Sequence, residues 1–338
     1  MSEVKLEEVV RVLERSGELA PGARGEELEQ IQGGWSRHTY IARISAADGS
    51  ESRHVVRVRP PGALLDTELE LEYQVYEALD PTSVPTPRVQ AIELATETPF
   101  GGQFFVMEFL PGSPSNIYSR ADQQRLAEDW AGERGVANDM VETLAAIHKL
   151  DFAAMPASIQ RLSYLDVVAK WKAVYDERRL VRDPIFEEGF DWLLENPPED
   201  QREGLVHGDY RIGNTLVADG RLTAVLDWEL VYVGDVRFDL GYLVLERSAG
   251  KHLRRRAELM GTFADEAWFL ERYGSLTGTP IEAESLRPFQ LLSIMMLVAT
   301  QVTAVWMHAN GKTDDFRMVW ARYSLPGLRD DMVRLMKW

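Results

Sequence analysis

The chain runs to 338 residues, 45% hydrophobic and 27% charged, long for one hydrophobic core and ordinary in composition, so a body of two lobes or domains is expected. Asp and Glu number 54 against 37 Lys and Arg, a formal charge of −17; so acidic a surface disfavours nucleic acid and anionic lipid as partners and mildly favours cationic substrates. The lack of cysteine excludes disulfides and thiolate metal sites and fits a reducing, cytoplasmic setting.

The opening Met1-Ser2-Glu3-Val4-Lys5 has no apolar signal core and implies no export. Leu6, Val9, Val10 and Leu13 then recur at helical spacing before Gly17, predicting a short amphipathic helix. The runs Leu28–Ile31, Tyr40–Ile44 and His54–Val58 are β-prone and are separated by Gly33-Gly34 and Asp48-Gly49, dipeptides of tight turns. Thr67–Leu79 reads as a helix with Leu69, Tyr73, Tyr76 and Leu79 along one side, ended by Val84-Pro85-Thr86-Pro87. Two more strands, Val89–Leu94 and Gln103–Phe109, precede the turn signal Pro111-Gly112. Residues 1–110 are thus expected to form a sheet with one prominent helix.

Helices dominate residues 111–338: Asp122–Leu150, tolerating Gly132 and Gly135, then Tyr164–Arg179 and Ile185–Leu194. One β element interrupts them, where Thr215–Ala218 and Leu222–Leu226 flank Asp219-Gly220, a strong hairpin signal. Beyond Asp239 the pattern predicts helices over Leu253–Tyr273, Ala283–Asn310 and Phe316–Met336. The longest apolar run, Leu291–Met307, is interrupted by Ser293, Thr300, Gln301 and Thr303. It falls short of the ~20 mostly apolar residues of a membrane span, so it reads as a buried helix and no membrane partner is expected. Oligomeric state is not legible.

The most specific signal is His207-Gly208-Asp209-Tyr210-Arg211-Ile212-Gly213-Asn214, which enters the hairpin, with Val225-Leu226-Asp227-Trp228-Glu229 where the hairpin ends. Phosphoryl transfer from a magnesium nucleotide needs such a set: one Asp to accept or orient a hydroxyl proton, and an Asn and a second Asp to hold the metal. The kinase loop reads H-R-D-x-x-x-x-N; His207, Asp209 and Asn214 fall on it, with Gly208 in place of Arg. Asp209 is therefore the candidate base, and Asn214 and Asp227 are the candidate Mg2+ ligands. A loop of capping residues is the competing explanation, and it must produce the His-x-Asp start, the step to Asn and the strand-terminal Asp together. His207 is read as structural, holding the loop by a bond to backbone.

Three further parts would complete a nucleotide site. Gly33, Gly34 and Ser36 offer backbone groups to phosphates, although Gly-Gly between strands also makes a plain turn. Arg57 is the candidate cation for the α- and β-phosphates, with Glu72 on the next helix as its partner. Arginine grips phosphate bidentately but is not isosteric with the Lys of most kinases, and a solvated strand face would also account for Arg57 and Arg59. Main-chain groups around Glu108 and Leu110, where a strand passes into a turn, are candidates for the adenine edge, with an ordinary buried strand as the alternative. Asp235 and Asp239 read as helix caps, Asp239 also as a brace for the catalytic loop. His38, His54, His148, His252 and His308 lack metal spacing and read as surface or core residues.

On these residues the chain resembles the aminoglycoside phosphotransferase and choline kinase-like superfamily. The likeness runs through Gly33-Gly34-Trp35-Ser36, Val55-Val56-Arg57 with Pro60-Pro61-Gly62, Glu72-Tyr73, Val84-Pro85-Thr86-Pro87, Val106-Met107-Glu108, His207 to Asn214, and Asp227-Trp228-Glu229 to Asp239-Leu240. Within the superfamily it is similar to bacterial phosphotransferases that resemble the kinase domain fused to acyl-CoA dehydrogenases. The resemblance implies an α+β, protein-kinase-like fold of two lobes: a small antiparallel sheet lobe and a larger helical lobe, with ATP between them. It also implies Mg2+, Asp209 as base, Asn214 and Asp227 as metal ligands, Arg57 with Glu72 on the phosphate side, and a small hydroxyl compound as acceptor. The acceptor stays open among an antibiotic, a choline-type alcohol and a hydroxyacyl-CoA. A catalytically silent nucleotide-binding protein of this fold is the alternative that Arg57 motivates, whereas the lack of D-F-G or A-P-E after Asn214 disfavours a protein kinase.

Overall fold

The computed structural model describes residues 2–31, 36–65, 67–117, 119–245 and 259–337, and the chain divides into two compact units, Met1–Pro111 and Gly112–Trp338. The first opens on helix α1 (Ser2–Ser16), followed by β1 (Arg24–Ile31), β2 (His38–Ser45), β3 (Glu51–Val58), α2 (Leu69–Leu79), β4 (Val89–Glu93) and β5 (Phe104–Glu108). The strands form one antiparallel sheet in the order β1-β2-β3-β5-β4. Alternation along the strands sends Tyr40, Ala42 and Ile44 of β2 and Val56 and Val58 of β3 into one core with Leu6, Val9, Val10, Val12 and Leu13 of α1. Helix and strand approach so closely at Gly25 that a Cβ there would stand 2.1 Å from Leu6 Cγ, which is why this strand residue has no side chain.

The opposite face of the sheet takes α2. The register sets Arg57 opposite Phe105, and neighbours across a ladder share a face; Phe105 in turn packs against Tyr73 and Tyr76 of α2. The buried residues of α2 are Leu69, Glu72, Val75, Tyr76 and Leu79, an apolar stripe at helical spacing with one carboxylate set into it. Sequence periodicity alone thus drives Glu72 toward the face that carries Arg57.

In the second unit β6 (Ser113–Pro114) precedes α3 (Arg120–Ala131) and α4 (Gly135–His148), where the sequence pattern predicts one continuous helix. The break falls at Gly132. The Asp129 side chain accepts from the amides of Gly135 (3.2 Å) and Val136 (3.0 Å), satisfying orphan donors of the second helix as a cap would. Next come α5 (Tyr164–Arg178), α6 (Pro184–Glu195), β7 (Glu203–Val206), β8 (Thr215–Ala218), β9 (Arg221–Val225), β10 (Tyr232–Asp235) and α7 (Arg237–Leu243). Strands β8 and β9 make the expected hairpin, with β6 on its free edge, and β7 pairs antiparallel with β10. The pair β7 and β10 is not predicted, because each strand has four residues with almost all of them buried, and a buried run shows no alternation.

The final helices are α8 (Glu266–Thr277), α9 (Arg287–Ala309), α10 (Arg317–Trp320) and α11 (Leu325–Met336). Helix α8 starts where Asp265 caps the amide of Trp268 at 2.9 Å, later than expected; residues 253–258 of the expected helix lie outside the described residues. The expected helix Phe316–Met336 is interrupted because Pro326 stands in the first turn of α11, a position where its missing N–H is harmless and its ring does not clash. The apolar run Leu291–Met307 requires a correction. The helical stretch Ala283–Ala309 has a mean hydropathy of 1.6 over an 18-residue window, so by length and composition it is long and apolar enough to cross a membrane. Its neighbours account for that greasiness: 61% of the window is buried within the fold, where α9 packs against α5, α6, α7 and α11.

Candidate active site

In the first unit an Arg57 terminal nitrogen donates to Glu72 Oε1 at 2.9 Å. Glu72 is wholly buried, and its second oxygen accepts from Arg37 Nε at 3.3 Å. Arg37 also reaches the Thr67 carbonyl at 3.3 Å and its hydroxyl at 2.8 Å. A carboxylate without water needs such partners, because an isolated buried charge is prohibitively costly. Sequence reasoning paired Arg57 with Glu72 and passed over Arg37, 35 residues distant from it; the signal was an arginine placed directly after the Gly-rich turn.

Of that turn, Gly33 and Gly34 lie outside the described residues, and Ser36 is buried beside Arg37. Glu108 closes its own strand end: its carboxylate accepts from the Arg88 amide at 2.8 Å and its N–H donates to the Arg88 carbonyl at 2.9 Å. That N–H is therefore engaged inside the unit. Leu110 is half-buried.

The second unit gathers the catalytic candidates on one loop. The segment between β7 and β8 carries His207 to Asn214, its last three residues forming a turn of 3-10 helix. Asn214 Nδ2 donates to the Asp209 carbonyl (2.9 Å) and to Asp209 Oδ2 (2.6 Å), so these two side chains meet directly. Arg211 Nε also faces the Asp209 carboxylate, at 3.2 and 3.4 Å.

Gly208 explains the departure from the H-R-D pattern. Its φ is +86°, and a Cβ there would stand 2.6 Å from the Leu230 carbonyl oxygen; no L side chain fits that conformation and that space together. His207 serves as the structural residue expected of it. The Leu226 carbonyl can only accept, so Nε2 carries the proton and donates at 3.0 Å, leaving Nδ1 to accept from the Asp209 amide at 3.2 Å. The imidazole lies 4.6 Å from the ring of Trp228. The Tyr210 hydroxyl bonds the Met140 carbonyl of α4 at 2.8 Å, and burial drives the phenol well above its ordinary pKa, so it remains a donor.

Asp239 is wholly buried beneath this loop. Its Oδ2 accepts from the His207 amide at 2.8 Å and its Oδ1 from the Gly208 amide at 2.9 Å; His148 Nε2 lies 3.1 Å from Oδ2. Asp235 takes another part, with Arg237 folded back on it at 2.6 Å and its second oxygen accepting from the Arg237 amide. His148, read from sequence as an unremarkable core or surface residue, is part of the loop's support.

Asp227 follows the hairpin directly. Its neighbour Leu226 accepts from His207 and donates to the Asn214 carbonyl at 2.8 Å, which ties the two ends of the hairpin together. Asp227 has φ +71° and ψ +57° and does not cap the turn after it with its side chain. A non-glycine residue held there marks imposed backbone geometry.

The donor set suits magnesium. The Asn214 amide nitrogen is taken up by Asp209, which leaves its carbonyl oxygen; an amide oxygen and a carboxylate such as that of Asp227 are donors of the hard type that magnesium takes. Magnesium takes few protein ligands and completes its shell with phosphate and water. Among the described residues there is no cluster of three or more His, Cys, Asp and Glu that would enclose an ion by itself.

A model of the family described as "Phosphotransferase enzyme family" matches residues 27–271. Acyl-CoA dehydrogenase family member 11 of Gallus gallus is 32% identical over 202 residues, 56% of this chain and 24% of that protein. Probable acyl-CoA dehydrogenase IBR3 of Arabidopsis thaliana is 27% identical over 314 residues, 85% of this chain and 37% of that protein. The chain thus spans 24% and 37% of the length of these two relatives. Among solved structures, a Ralstonia eutropha JMP134 protein assigned by description to the aminoglycoside phosphotransferases superposes with a TM-score of 0.74 at 22% identity, covering 97% of this chain and 98% of that one. A thermostable mutant of aminoglycoside phosphotransferase APH(4)-Ia, in ternary complex with AMP-PNP and hygromycin B, gives 0.63 at 18% identity, covering 92% and 94%. At such identities these likenesses speak for the fold, a two-lobed kinase-like α+β architecture.

Proposed function

Because this chain belongs to the phosphotransferase enzyme family, we propose that it moves the γ-phosphate of ATP, with Mg2+, to a hydroxyl group of a small molecule. The observation that carries this reading is the contact of Asn214 with Asp209 at 2.6 Å, on a loop whose two preceding amides hang from the buried Asp239.

In this reading Asp209 accepts the proton of the acceptor hydroxyl as its oxygen attacks, and Asn214 holds the carboxylate in orientation through its amide nitrogen. Asn214 Oδ1 and Asp227 would hold the metal, which supplies charge neutralisation between the phosphate oxygens. Arg57, aimed by Glu72, would neutralise the α- and β-phosphates, and a guanidinium has enough donors to serve a carboxylate and a phosphate together. Gly33, Gly34 and Ser36 would approach the phosphates with backbone groups. The strand end at Glu108 and Leu110 would border the adenine, through main-chain groups other than the Glu108 N–H.

The test is ADP release across a panel of hydroxyl compounds, wild type against Asp209→Ala. A fall in kcat of about 10²- to 10⁴-fold is expected for loss of a general base; undiminished turnover removes Asp209 from the mechanism. A second reading names the acceptor as a hydroxyacyl-CoA. It is favoured by relatives at 27 and 32% identity bearing acyl-CoA dehydrogenase names, and the same panel separates it from sugar or amino-alcohol acceptors.

A further inference from the structure

We infer that Tyr273 and His148 are positioning residues that set the catalytic loop through Asp239; the catalytic part of this inference rests on the reading of Asp209 as the base. The hydrogen bonds have one consistent direction. Asp239 accepts from both loop amides, so the His148 tautomer that matches it carries its proton on Nε2 and donates to Asp239 Oδ2 at 3.1 Å. In that tautomer Nδ1 accepts from the Tyr273 hydroxyl at 2.7 Å. The two oxygens of Asp239 pass the restraint on to the main chain of His207 and Gly208, at 2.8 and 2.9 Å. Asp209 is the next residue.

The participants come from distant parts of the chain. Tyr273 lies in α8, His148 ends α4 and Asp239 lies in α7, successive partners standing 125 and 91 positions apart in sequence. The side chains of His148 and Asp239 are 2% and 0% exposed, and Tyr273 is 2% exposed, so water cannot replace a lost link. Burial and the Asp239 charge raise the Tyr273 pKa, which keeps the phenol protonated as the terminal donor. In a dry network each bond polarises the next, and the loss of one member is felt along the row.

The bland alternative is a buried hydroxyl that merely has its bond satisfied, with the edge-on packing of Tyr273 on His148 at 5.6 Å as its whole contribution. Tyr273→Phe separates the two, since it keeps the ring and removes only the hydroxyl. Amide hydrogen exchange in the nucleotide-free protein is expected to quicken about tenfold at His207 and Gly208 in this variant, with β8 and β9 unchanged. In turnover, kcat is expected to fall about three- to tenfold with KM for ATP within about twofold, as for an interaction serving the transition state. His148→Gln keeps a side-chain N–H donor and is expected to retain more activity than His148→Leu; should the leucine variant misfold, Tyr273→Phe and His148→Gln carry the comparison. Unchanged exchange at both amides overturns the inference, as does unchanged kcat in a variant whose loop exchanges faster. If the wild type transfers phosphate to nothing, the proposed activity fails while the exchange measurement still decides whether the loop is positioned in this way.

Discussion

Each unit keeps a carboxylate wholly out of water, Glu72 in the first and Asp239 in the second, and the two are satisfied by opposite means. Glu72 is met by the guanidinium groups of Arg37 and Arg57, carried on long side chains, of which that of Arg57 is 12% exposed. Asp239 is met by the amides of His207 and Gly208 and by an imidazole, groups fixed to backbone or to a short stem. The first arrangement orients a cation and the second pins a stretch of main chain. A phosphate-side cation must adjust to its ligand, whereas a base must wait in one place.

Like-for-like amide substitutions would break this comparison or sharpen it. Asp239→Asn puts an NH2 group against a main-chain N–H that cannot turn away, and a loss of about 3–5 kcal/mol in unfolding free energy is expected from urea denaturation. Glu72→Gln sets the same conflict against guanidinium groups on long side chains rather than against main chain, so a smaller loss of about 1–3 kcal/mol is expected. Equal losses would erase the distinction between a pinned backbone and an adjustable cation.

The smallest effect concerns a buried group whose neutral form is favoured by burial. His54 of β3 is 4% exposed, donates from Nδ1 to Gln90 at 2.8 Å and accepts from the Ser52 hydroxyl at 2.8 Å. Burial lowers its pKa below the ordinary 6.5. The unfolded chain therefore binds the proton more readily than the folded one, so this contribution is fully present above about pH 7 and is lost as pH falls below the unfolded value toward the folded one. A drop of a few degrees in Tm between about pH 7 and pH 5 is expected, smaller in His54→Gln. An identical drop in both proteins would assign the pH dependence to the charged pairs instead.

Much of the fold was legible from sequence because hydrophobic periodicity and turn dipeptides are local signals. The hairpin at Asp219-Gly220 and the apolar stripe of α2 are cases in point. Asp209 and Asn214 were legible for the same reason, lying five residues apart on one loop. Arg37, His148 and Tyr273 were not, because their partners stand 35, 91 and 125 residues away, and no local pattern distinguishes a histidine ending a helix from any other. The Gly132 break was misread because a tolerated glycine and a terminating one look alike until Asp129 is seen capping the next helix. The strands β7 and β10 escaped because, buried on both sides, they lack the alternation by which a strand is recognised.

The twist of the chain at Asp227 bears on how its chemistry should be dissected. Its φ of +71° is a conformation that asparagine adopts readily and alanine resists. An alanine replacement would therefore confound two losses, the negative charge and the local chain path, and an inactive protein would not reveal which mattered. Asparagine preserves the path and most of the shape while removing the charge alone, making it the cleaner probe.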